Sequence, residues 1–373
     1  MYSAPLTPQE NVVYILGAGF SAPLGLPVMG NFITKAKDIM AYKIDHGLYY
    51  EQVFQGLDRL AKAKNYLRSD LFNIEEVLCI LEMEAYVTGN KLSDNFIHFL
   101  ADTIRRYTPP ITKYGPELPG NWHDYVFGKY NLTANYTSFV ANIFSLSIRQ
   151  HKDSSGYRSY SLAADIDRPH KYGVISLNYD MVLENALAFL TECYNVSQEY
   201  KYIYANTVAD DDPYKLISNG NIPLAKIHGS IDPLSIVAPT WNKMARADMQ
   251  ATWSLAHNLL RNANHIRILG YSLPASDTYF KYLLSTAVVD SYNIKTIDVI
   301  CLDPTGEVEK RYNSIIDFKN FRFISEDISE YLDVARTESC KTGQRTNTVT
   351  CTHLEGAHTE LFDIRPHACP VNT

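Results

Sequence analysis

Cysteine is scarce in this sequence, and its spacing forms no metal or disulfide framework. The 373 residues include six cysteines, at positions 79, 193, 301, 340, 351 and 369. No two of them form a Cys-x-x-Cys pair, and their density is too low for a disulfide scaffold. The last two lie among His353, His358 and His367, but the spacings fit no standard zinc pattern. We therefore expect no bound metal, and free thiols at Cys79, Cys193 and Cys301.

Long apolar runs, a secretory leader and an excess of basic charge are also missing. No segment approaches the roughly 20 apolar residues that a membrane helix needs. Residues 1–11 show no basic segment followed by an apolar one, as a signal peptide would. The net charge is −7, whereas proteins that bind nucleic acid usually present a basic face. We expect a cytoplasmic protein with no membrane contact and no direct nucleic-acid binding.

What the sequence does contain is a series of short apolar segments without clean alternation. They are Val12–Leu16, Tyr172–Leu177, Pro223–Ile227, Ile266–Leu269, Ile297–Leu302 and Phe321–Ile324. Such segments are typical of strands in a parallel sheet that is covered on both faces. Helical periodicity occurs between them, for example in Met181–Leu190 and Tyr279–Val289. This alternation predicts an α/β fold with a Rossmann-like, doubly wound parallel sheet.

The stretch from residue 31 to residue 150 has a different pattern. Phe32–Met40, Ile74–Tyr86 and Phe96–Ile104 carry apolar residues at helical spacing, and no segment there indicates a strand. We predict a helical insertion module at residues 31–150, within a Rossmann domain made of residues 1–30 and 151–334. From Ala335 the apolar spacing weakens, so residues 335–373 are predicted to be a solvated tail or an arm that contacts another subunit.

The first candidate site is the turn Gly17-Ala18-Gly19-Phe20-Ser21, directly after the first predicted strand. Glycines there let the backbone turn tightly and approach a pyrophosphate at a helix N-terminus. A plain strand-to-helix turn has the same residues, so the motif alone leaves both interpretations open. A dehydrogenase would next place an acidic residue at the end of a second strand, but Asp38 lies in a helical segment.

Polar residues also follow other predicted strands, at the edge of an open α/β sheet where ligands bind. Asn178 and Asp180 follow one strand, and His228 follows another. Asp180 has an equally good structural interpretation as the N-cap of the next helix. A lone histidine is often structural, although its place at a strand end before Gly229 favours catalysis.

Two further strand ends carry weaker signals. Gly270-Tyr271-Ser272-Leu273 follows Ile266–Leu269, and Asp303 follows Ile297–Leu302. A carboxylate at a strand end is suited to accept hydrogen bonds from ribose hydroxyls. Each segment is also compatible with an ordinary turn.

Taken in order, these motifs resemble those of the sirtuin superfamily. Gly17–Ser21 matches its Gly-Ala-Gly-x-Ser loop, and Asn178 and Asp180 match the last residues of its Gln-Asn-x-Asp motif. His228-Gly229 matches its catalytic His-Gly pair. Gly270-x-Ser272-Leu273 looks like its nucleotide loop. The resemblance extends over roughly residues 11–330, interrupted by the helical insertion, and it implies an NAD-binding site.

The departures from sirtuin deacetylases are equally informative. Those enzymes carry a four-cysteine zinc module after the His-Gly pair, but residues 229–298 contain no cysteine, so no structural zinc of that kind is expected. Leu177 occupies the place of their glutamine. Gly25-Leu26-Pro27-Val28-Met29 lacks the Asp-Phe-Arg that follows their Gly-Ile-Pro. Recognition of acyl-lysine is therefore not expected.

The remaining pattern is similar to that of bacterial sirtuin-like NAD glycohydrolases of anti-phage defence. The similarity lies in Asn178-Tyr179-Asp180, in Ile74–Leu78 within a large helical insertion, and in Gly270–Asp277. The resemblance implies hydrolysis of NAD to nicotinamide and ADP-ribose, which depletes cellular NAD on infection. A chain of this kind needs external control, and the resemblance implies a homo-oligomer or an assembly with a HerA-type ATPase.

The resemblance also assigns roles. His228 would be the general base, and Asn178 would orient the ribose and the attacking water. The Gly17–Ser21 turn would hold the pyrophosphate, and Gly270 and Ser272 would belong to the nucleotide loop. Asp180 would lie near the carboxamide, and Asp303 at the adenosine ribose. Two alternatives remain: a non-hydrolytic sensor of NAD or ADP-ribose, and an ADP-ribosyltransferase. A third, a structural subunit of a nuclease–ATPase complex, is disfavoured by the presence of both Asn178 and His228.

Overall fold

The computed structural model describes residues 9–42, 49–62, 70–164, 170–196, 198–205, 212–217, 220–237, 247–274, 277–289, 291 and 293–364. The strands are β1 (Glu10–Leu16), β2 (Leu146–Lys152), β3 (Arg158–Ala164), β4 (His170–Ser176), β5 (Asn195–Val196), β6 (Lys201–Ile203), β7 (Asn221–Lys226), β8 (His265–Leu269), β9 (Thr296–Ile300), β10 (Phe321–Ile324) and β11 (Thr348–Thr350). The helices are α1 (Ala18–Ser21), α2 (Phe32–Ala41), α3 (Tyr49–Ala61), α4 (Ile74–Thr88), α5 (Leu92–Tyr107), α6 (Asn131–Ile143), α7 (Val182–Cys193), α8 (Ala247–Arg261), α9 (Thr278–Val289), α10 (Glu307–Asn313), α11 (Ile328–Thr346) and α12 (Leu354–Ile364).

The main sheet has seven parallel strands in the order β10-β9-β8-β1-β4-β7-β6. The chain begins in the centre with β1, builds one half through β4 and β7, and then crosses over to build β8, β9 and β10. Strand β1 therefore lies at the topological switch point, where open α/β sheets bind ligands beyond the carboxyl ends of their strands. The predicted Rossmann-like, doubly wound parallel sheet is confirmed.

Burial explains why these segments are strands without an alternating pattern. The side chains from Val12 to Leu16 in β1 are all at most 1% exposed, because both faces of the central strand are covered. The six strands predicted from sequence are all present as β1, β4, β7, β8, β9 and β10. The helices predicted at Met181–Leu190 and Tyr279–Val289 are also present, as α7 and α9.

The predicted helices of the insertion are present as α2, α4 and α5. Aromatic contacts join α3 to α5, where the rings of Tyr50 and Phe54 pack against Phe99. Helix α6 instead packs on the main sheet. The ring centroids of its Phe139 and of Tyr14 in β1 are 5.3 Å apart. Strand β2 begins at Leu146, so the expectation of no strand before residue 150 is wrong. The domain boundaries themselves stay a prediction.

A smaller sheet, in the order β11-β2-β3-β5, brings the C-terminal region into the fold. The expectation of a solvated tail is wrong for residues 335–364, since α11, β11 and α12 pack against the rest of the chain. The large buried side chains of α11 all precede Ala335, and from there its buried residues are small: Ala335, Ser339, Cys340 and Gly343. Small and polar side chains give little apolar periodicity, which explains why the sequence resembled a tail.

The cysteines in the described segments carry free thiols, including Cys79, Cys193 and Cys301. In the same segments, no three His, Cys, Asp or Glu side chains are grouped to hold a metal ion. His367 and Cys369 lie outside the described residues. No helix of the described chain combines the length and the apolar character needed to cross a bilayer.

Candidate active site

A cavity of about 660 Å³ opens at the carboxyl ends of the central strands. It is lined by residues that follow β1, β4, β7, β8, β9 and β10, and by the start of α4 from the insertion. Of the residues predicted from sequence, the cavity wall includes Ala18, Gly19, Ser21, Asn178, Asp180, His228, Gly270 and Ser272. Motifs separated by up to 254 positions of sequence are therefore brought to one cavity at the switch point of the sheet.

Two glycine turns meet at the base of this cavity. The amide of Gly17 donates to the Leu269 carbonyl at 3.0 Å, and the amide of Gly19 donates to the Gly270 carbonyl at 2.7 Å. A Cβ on Gly270, which has φ +63°, would lie 2.1 Å from the amide nitrogen of Phe20. The glycines are thus required for close packing of two loops. The predicted contact of the Gly17–Ser21 turn with a pyrophosphate stays a prediction.

Asn178 joins β4 to the first glycine turn. Its side chain is 8% exposed, and Nδ2 donates to the Gly17 carbonyl at 2.9 Å and to Ser21 Oγ at 3.3 Å. Because a carbonyl oxygen only accepts, the atom that faces Gly17 must be the NH₂ group. This orientation leaves Oδ1 of Asn178 as the acceptor for a partner.

His228 lies directly beyond the end of β7 and is 3% exposed. Its Nδ1 is 3.7 Å from Glu75 Oε1, and its Nε2 is 3.8 Å from Asp277 Oδ2. The next residue, Gly229, has φ +88°, and a Cβ there would lie 1.9 Å from the Ser235 carbonyl oxygen. Glycine is therefore needed at position 229 for the chain to turn sharply directly after His228, which lines the cavity.

Asp180 and Ser272 line the cavity and also have structural partners. The Asp180 carboxylate accepts from the Val182 amide at 3.1 Å, which stabilises the start of α7. The carbonyl of Ser272 accepts from the Arg311 guanidinium at 3.0 Å. The N-cap position of α7 is Met181, so Asp180 lies one residue before the predicted cap, although its carboxylate still binds the first amide of the helix and lines the cavity.

Gly17, Phe20 and Asp303, three other predicted site residues, are not part of the cavity wall. Phe20 is 1% exposed, and its ring packs against Tyr136 and Phe139. The Asp303 carboxylate accepts from the Glu309 amide at 2.9 Å, at the start of α10. Burial opposes ionisation, but the amides of α10 hold the pKa of Asp303 below its usual value. The Asp303 carboxylate therefore binds the first turn of α10, and its predicted contact with the adenosine ribose stays a prediction.

Four carboxylates of the cavity wall have no counterpart among the predicted site residues: Glu75, Asp277, Glu326 and Asp327. Asp277 is 2% exposed and accepts from the Tyr271 hydroxyl at 2.7 Å and from the Phe280 amide at 3.2 Å. Glu326 follows β10, so its place after a strand was a signal available in the sequence. Glu75 comes from the insertion, and its contact with His228 depends on tertiary packing.

The charge of the cavity wall is acidic. The described residues that line it include the carboxylates of Glu75, Asp180, Asp277, Glu326 and Asp327, and no lysine or arginine. Burial and the nearby Glu75 and Asp277 charges hold the pKa of Tyr179 well above its usual value, so its phenol stays neutral. Burial also raises the pKa of Cys301 to about 11, which disfavours a thiolate nucleophile. The cavity therefore favours a ligand part that carries positive charge.

Three solved structures match this chain at low sequence identity. One is a Sir2 in complex with the inhibitor EX-527, 2′-O-acetyl-ADP-ribose and deacetylated p53 peptide, and another is a Sir2 with p53 peptide and NAD⁺. Each is 12% identical, and each match covers 89% of this chain and 95% of the other chain, with TM-scores of 0.35 and 0.36. A third, from work on sirtuin substrate affinity, is also 12% identical, with coverage of 89% and 94% and a TM-score of 0.32.

Only part of the chain matches a known family profile. The comparison with curated proteins yields no match. The profile of the family described as SIR2-like domain matches residues 173–324. The matched segment contains Asn178, His228 and Gly270, whereas the Gly17–Ser21 turn lies outside it. Over residues 173–324, this chain is therefore similar to the SIR2-like domain family.

Proposed function

We propose that this protein is an NAD glycohydrolase, which cleaves NAD⁺ to nicotinamide and ADP-ribose. The observation that carries the proposal is the hydrogen bond from Asn178 to the Gly17 turn, in the same cavity that His228 lines. The SIR2-like match over residues 173–324 supports NAD as the ligand. The lack of a zinc module and the sequence departures at Leu177 and Gly25–Met29 support hydrolysis over deacetylation.

The reaction breaks the C–N bond at the anomeric carbon of the nicotinamide ribose. Nicotinamide leaves as a neutral pyridine from a cationic ring, so no acid is needed to protonate it. The transition state has oxocarbenium character, and fixed negative charge around it lowers its energy. Carboxylates such as Asp180 and Asp277 in the cavity wall supply that charge.

Asn178 and His228 have separate tasks in this mechanism. The Asn178 NH₂ is held by the Gly17 carbonyl, so Oδ1 accepts a hydrogen bond from a ribose hydroxyl or from the attacking water. His228 accepts the proton of that water as it attacks the anomeric carbon. The neutral phenol of Tyr179, beside the imidazole, helps to exclude bulk water.

Strand order indicates how the dinucleotide lies. Asn178 and His228 follow β4 and β7, on one side of β1, so the nicotinamide ribose belongs there. The pyrophosphate then crosses the turn at Ala18, Gly19 and Ser21, all in the cavity wall. The adenosine half extends over β8, β9 and β10. There Glu326 lines the cavity, and it replaces Asp303 in our assignment of the adenosine ribose contact.

Product analysis tests the proposal against its alternatives. NAD⁺ labelled in both the nicotinamide and the adenylate parts is incubated with the protein, and products are separated by chromatography. We expect equal release of nicotinamide and ADP-ribose. Saturable binding of NAD⁺ without release would indicate a sensor, and adenylate label left on a macromolecule would indicate an ADP-ribosyltransferase. Either result would refute hydrolysis.

The biological setting follows from the resemblance alone. We propose that NAD⁺ depletion serves anti-phage defence, and that a homo-oligomer or a HerA-type ATPase partner controls it. Size measurements of the chain alone and mixed with a HerA-type ATPase test the assembly. A monomer in both samples, with unrestrained NAD⁺ cleavage, would contradict external control.

A further inference from the structure

Helix α4 of the insertion begins beside His228, and a cap fixes its first turn. Oδ1 of Asn73 accepts from the amides of Glu75 and Glu76, each at 3.1 Å. The Glu75 side chain is 14% exposed, and its Oε1 lies 3.7 Å from Nδ1 of His228. The insertion therefore presents one carboxylate to the candidate base.

Helix α5 contacts the loop that carries His228. The guanidinium of Arg105 donates to the Ile231 carbonyl, and the Ile231 amide donates to the Tyr179 carbonyl at 3.0 Å. This loop is thus held from two sides, by the insertion and by the segment after β4. The Asn73 cap thus holds the segment that carries Glu75, and the hydrogen bonds of Ile231 hold the segment that follows His228.

The two ring nitrogens of His228 face different carboxylates with different hydrogen-bonding capacity. The Asp277 oxygen that lies 3.8 Å from Nε2 already accepts from the Tyr271 hydroxyl at 2.7 Å. Nε2 is buried and has no hydrogen-bond partner among the described residues. A neutral imidazole carries one N–H, which is favoured on the nitrogen that faces the better acceptor. Glu75, opposite Nδ1, is that acceptor.

We propose that Glu75 is the positioning residue for His228. It accepts a hydrogen bond from Nδ1–H, and this leaves the lone pair of Nε2 free to take a proton in the cavity. Hydrogen bonds of this kind are often long without substrate and shorten in the reacting complex. The inference rests on the proposed NAD⁺ hydrolysis, and it makes the helical insertion a part of the catalytic site.

Kinetics of three variants test this role. The variants are E75A, E75Q and the control E76Q. Glu76 does not line the cavity, but its amide binds the same Asn73 cap as that of Glu75. We expect E75A to lower kcat about 10- to 100-fold with little change in KM, because an orienting carboxylate acts on the base and not on ligand binding. E75Q keeps an acceptor oxygen and should recover part of the loss. E76Q should match the wild type.

Two kinetic results would overturn the proposal. One is a kcat of E75A within about twofold of the wild type, against the loss expected for an orienting group. The other is a raised KM with unchanged kcat, which would make Glu75 a binding residue. Thermal unfolding of each variant checks that the fold is retained.

A second measurement tests the positioning of His228 by Glu75 independently of NAD⁺ hydrolysis. In protein labelled with ¹⁵N-histidine, the ring nitrogen shifts of His228, assigned with H228A, report which nitrogen carries the proton. We expect the Nδ1–H form in the wild type and a shift toward Nε2–H in E75A. Unchanged shifts in E75A would refute the proposal. If the wild type shows the expected shifts but releases no nicotinamide, the proposed function fails and the positioning role stands.

Discussion

Asn178 and Gly17 are 161 positions apart in the sequence, and the side-chain amide of one donates to the main-chain carbonyl of the other at 2.9 Å. This bond joins β4 to the turn after β1, at the centre of the sheet. It fixes the orientation of the Asn178 amide, so Oδ1 remains as the acceptor of this side chain. The hydrogen bond therefore connects the fold directly to the proposed chemistry.

Replacement of Asn178 tests whether this amide is needed for turnover. We expect N178A to lower kcat by about two orders of magnitude or more, since both ribose and water lose their orientation. Loss of the bond to Gly17 should cost about 1 kcal/mol of stability. N178D should be worse for stability than N178A, because its carboxylate would face the Gly17 carbonyl. Nicotinamide release and urea unfolding measure the two effects, and N178A with wild-type kcat would contradict this role.

Much of the sheet and its ligand edge is predictable from sequence, because buried parallel strands produce continuous apolar segments. The segments Val12–Leu16 and Ile266–Leu269 are examples, and the polar residues after such strands line the cavity. Those signals are local, since each depends on a strand and the few residues after it.

Other features depend on contacts between distant segments. Helix α11 packs through small residues, and a Cβ on its Gly343 would lie 2.6 Å from Val349. Such packing leaves no apolar periodicity to read. A carboxylate after a strand, such as that of Asp303, can either bind ribose or accept from the first turn of the next helix, and the sequence alone does not distinguish the two. The place of Glu75 beside His228 requires knowledge of how the insertion packs on the sheet.

Gly229 provides a test of the turn that presents His228. We expect G229A to lower the free energy of unfolding by about 1–3 kcal/mol or more, because Ala disfavours φ +88° and its Cβ would collide with the Ser235 carbonyl. G356A is the matched control, since that glycine lies in α12 and a Cβ there meets nothing within 4 Å. It should be neutral or stabilising. Urea unfolding measures the stability of both variants. A midpoint of G229A equal to that of the wild type would show that the turn tolerates a side chain.

The acidic wall near the adenosine half predicts a preference for NAD⁺ over NADP⁺. Glu326 should repel the additional phosphate of NADP⁺, so E326Q should raise kcat/KM for NADP⁺ about fivefold relative to that for NAD⁺. The control is E330Q, which removes an exposed carboxylate from the first turn of α11. Nicotinamide release from each dinucleotide gives the ratio. The same ratio in the wild type and E326Q would show that the adenosine ribose lies elsewhere.

His358 predicts a loss of stability in mild acid. Its Nε2 lies 3.0 Å from Asp298 Oδ2, and burial, together with the Arg267 charge, lowers the pKa of His358 to about 4. In the unfolded chain His358 binds a proton near pH 6.5, whereas in the folded protein it stays neutral down to about pH 4. The contribution of neutral His358 to the free energy of unfolding is therefore complete above pH 6.5 and is lost as the pH falls toward 4. Between pH 7 and pH 5 the loss from this group should be about 2 kcal/mol.

H358Q keeps a donor toward Asp298 and removes the titration, so it should lose less stability than the wild type over this interval. Urea unfolding at pH 7 and pH 5 gives the comparison. An equal loss in H358Q and in the wild type would show that His358 does not stay neutral in the folded protein.

The central claim is that one dinucleotide lies over the glycine turn with its nicotinamide ribose between Asn178 and residue 228. The most direct measurement is a crystal structure of H228A, which should bind NAD⁺ without cleaving it. We expect the pyrophosphate at Ala18–Ser21, and the anomeric carbon of the nicotinamide ribose within contact distance of the Asn178 side chain. NAD⁺ bound outside this cavity, or bound in it with the nicotinamide ribose on the β8–β10 side, would contradict the account.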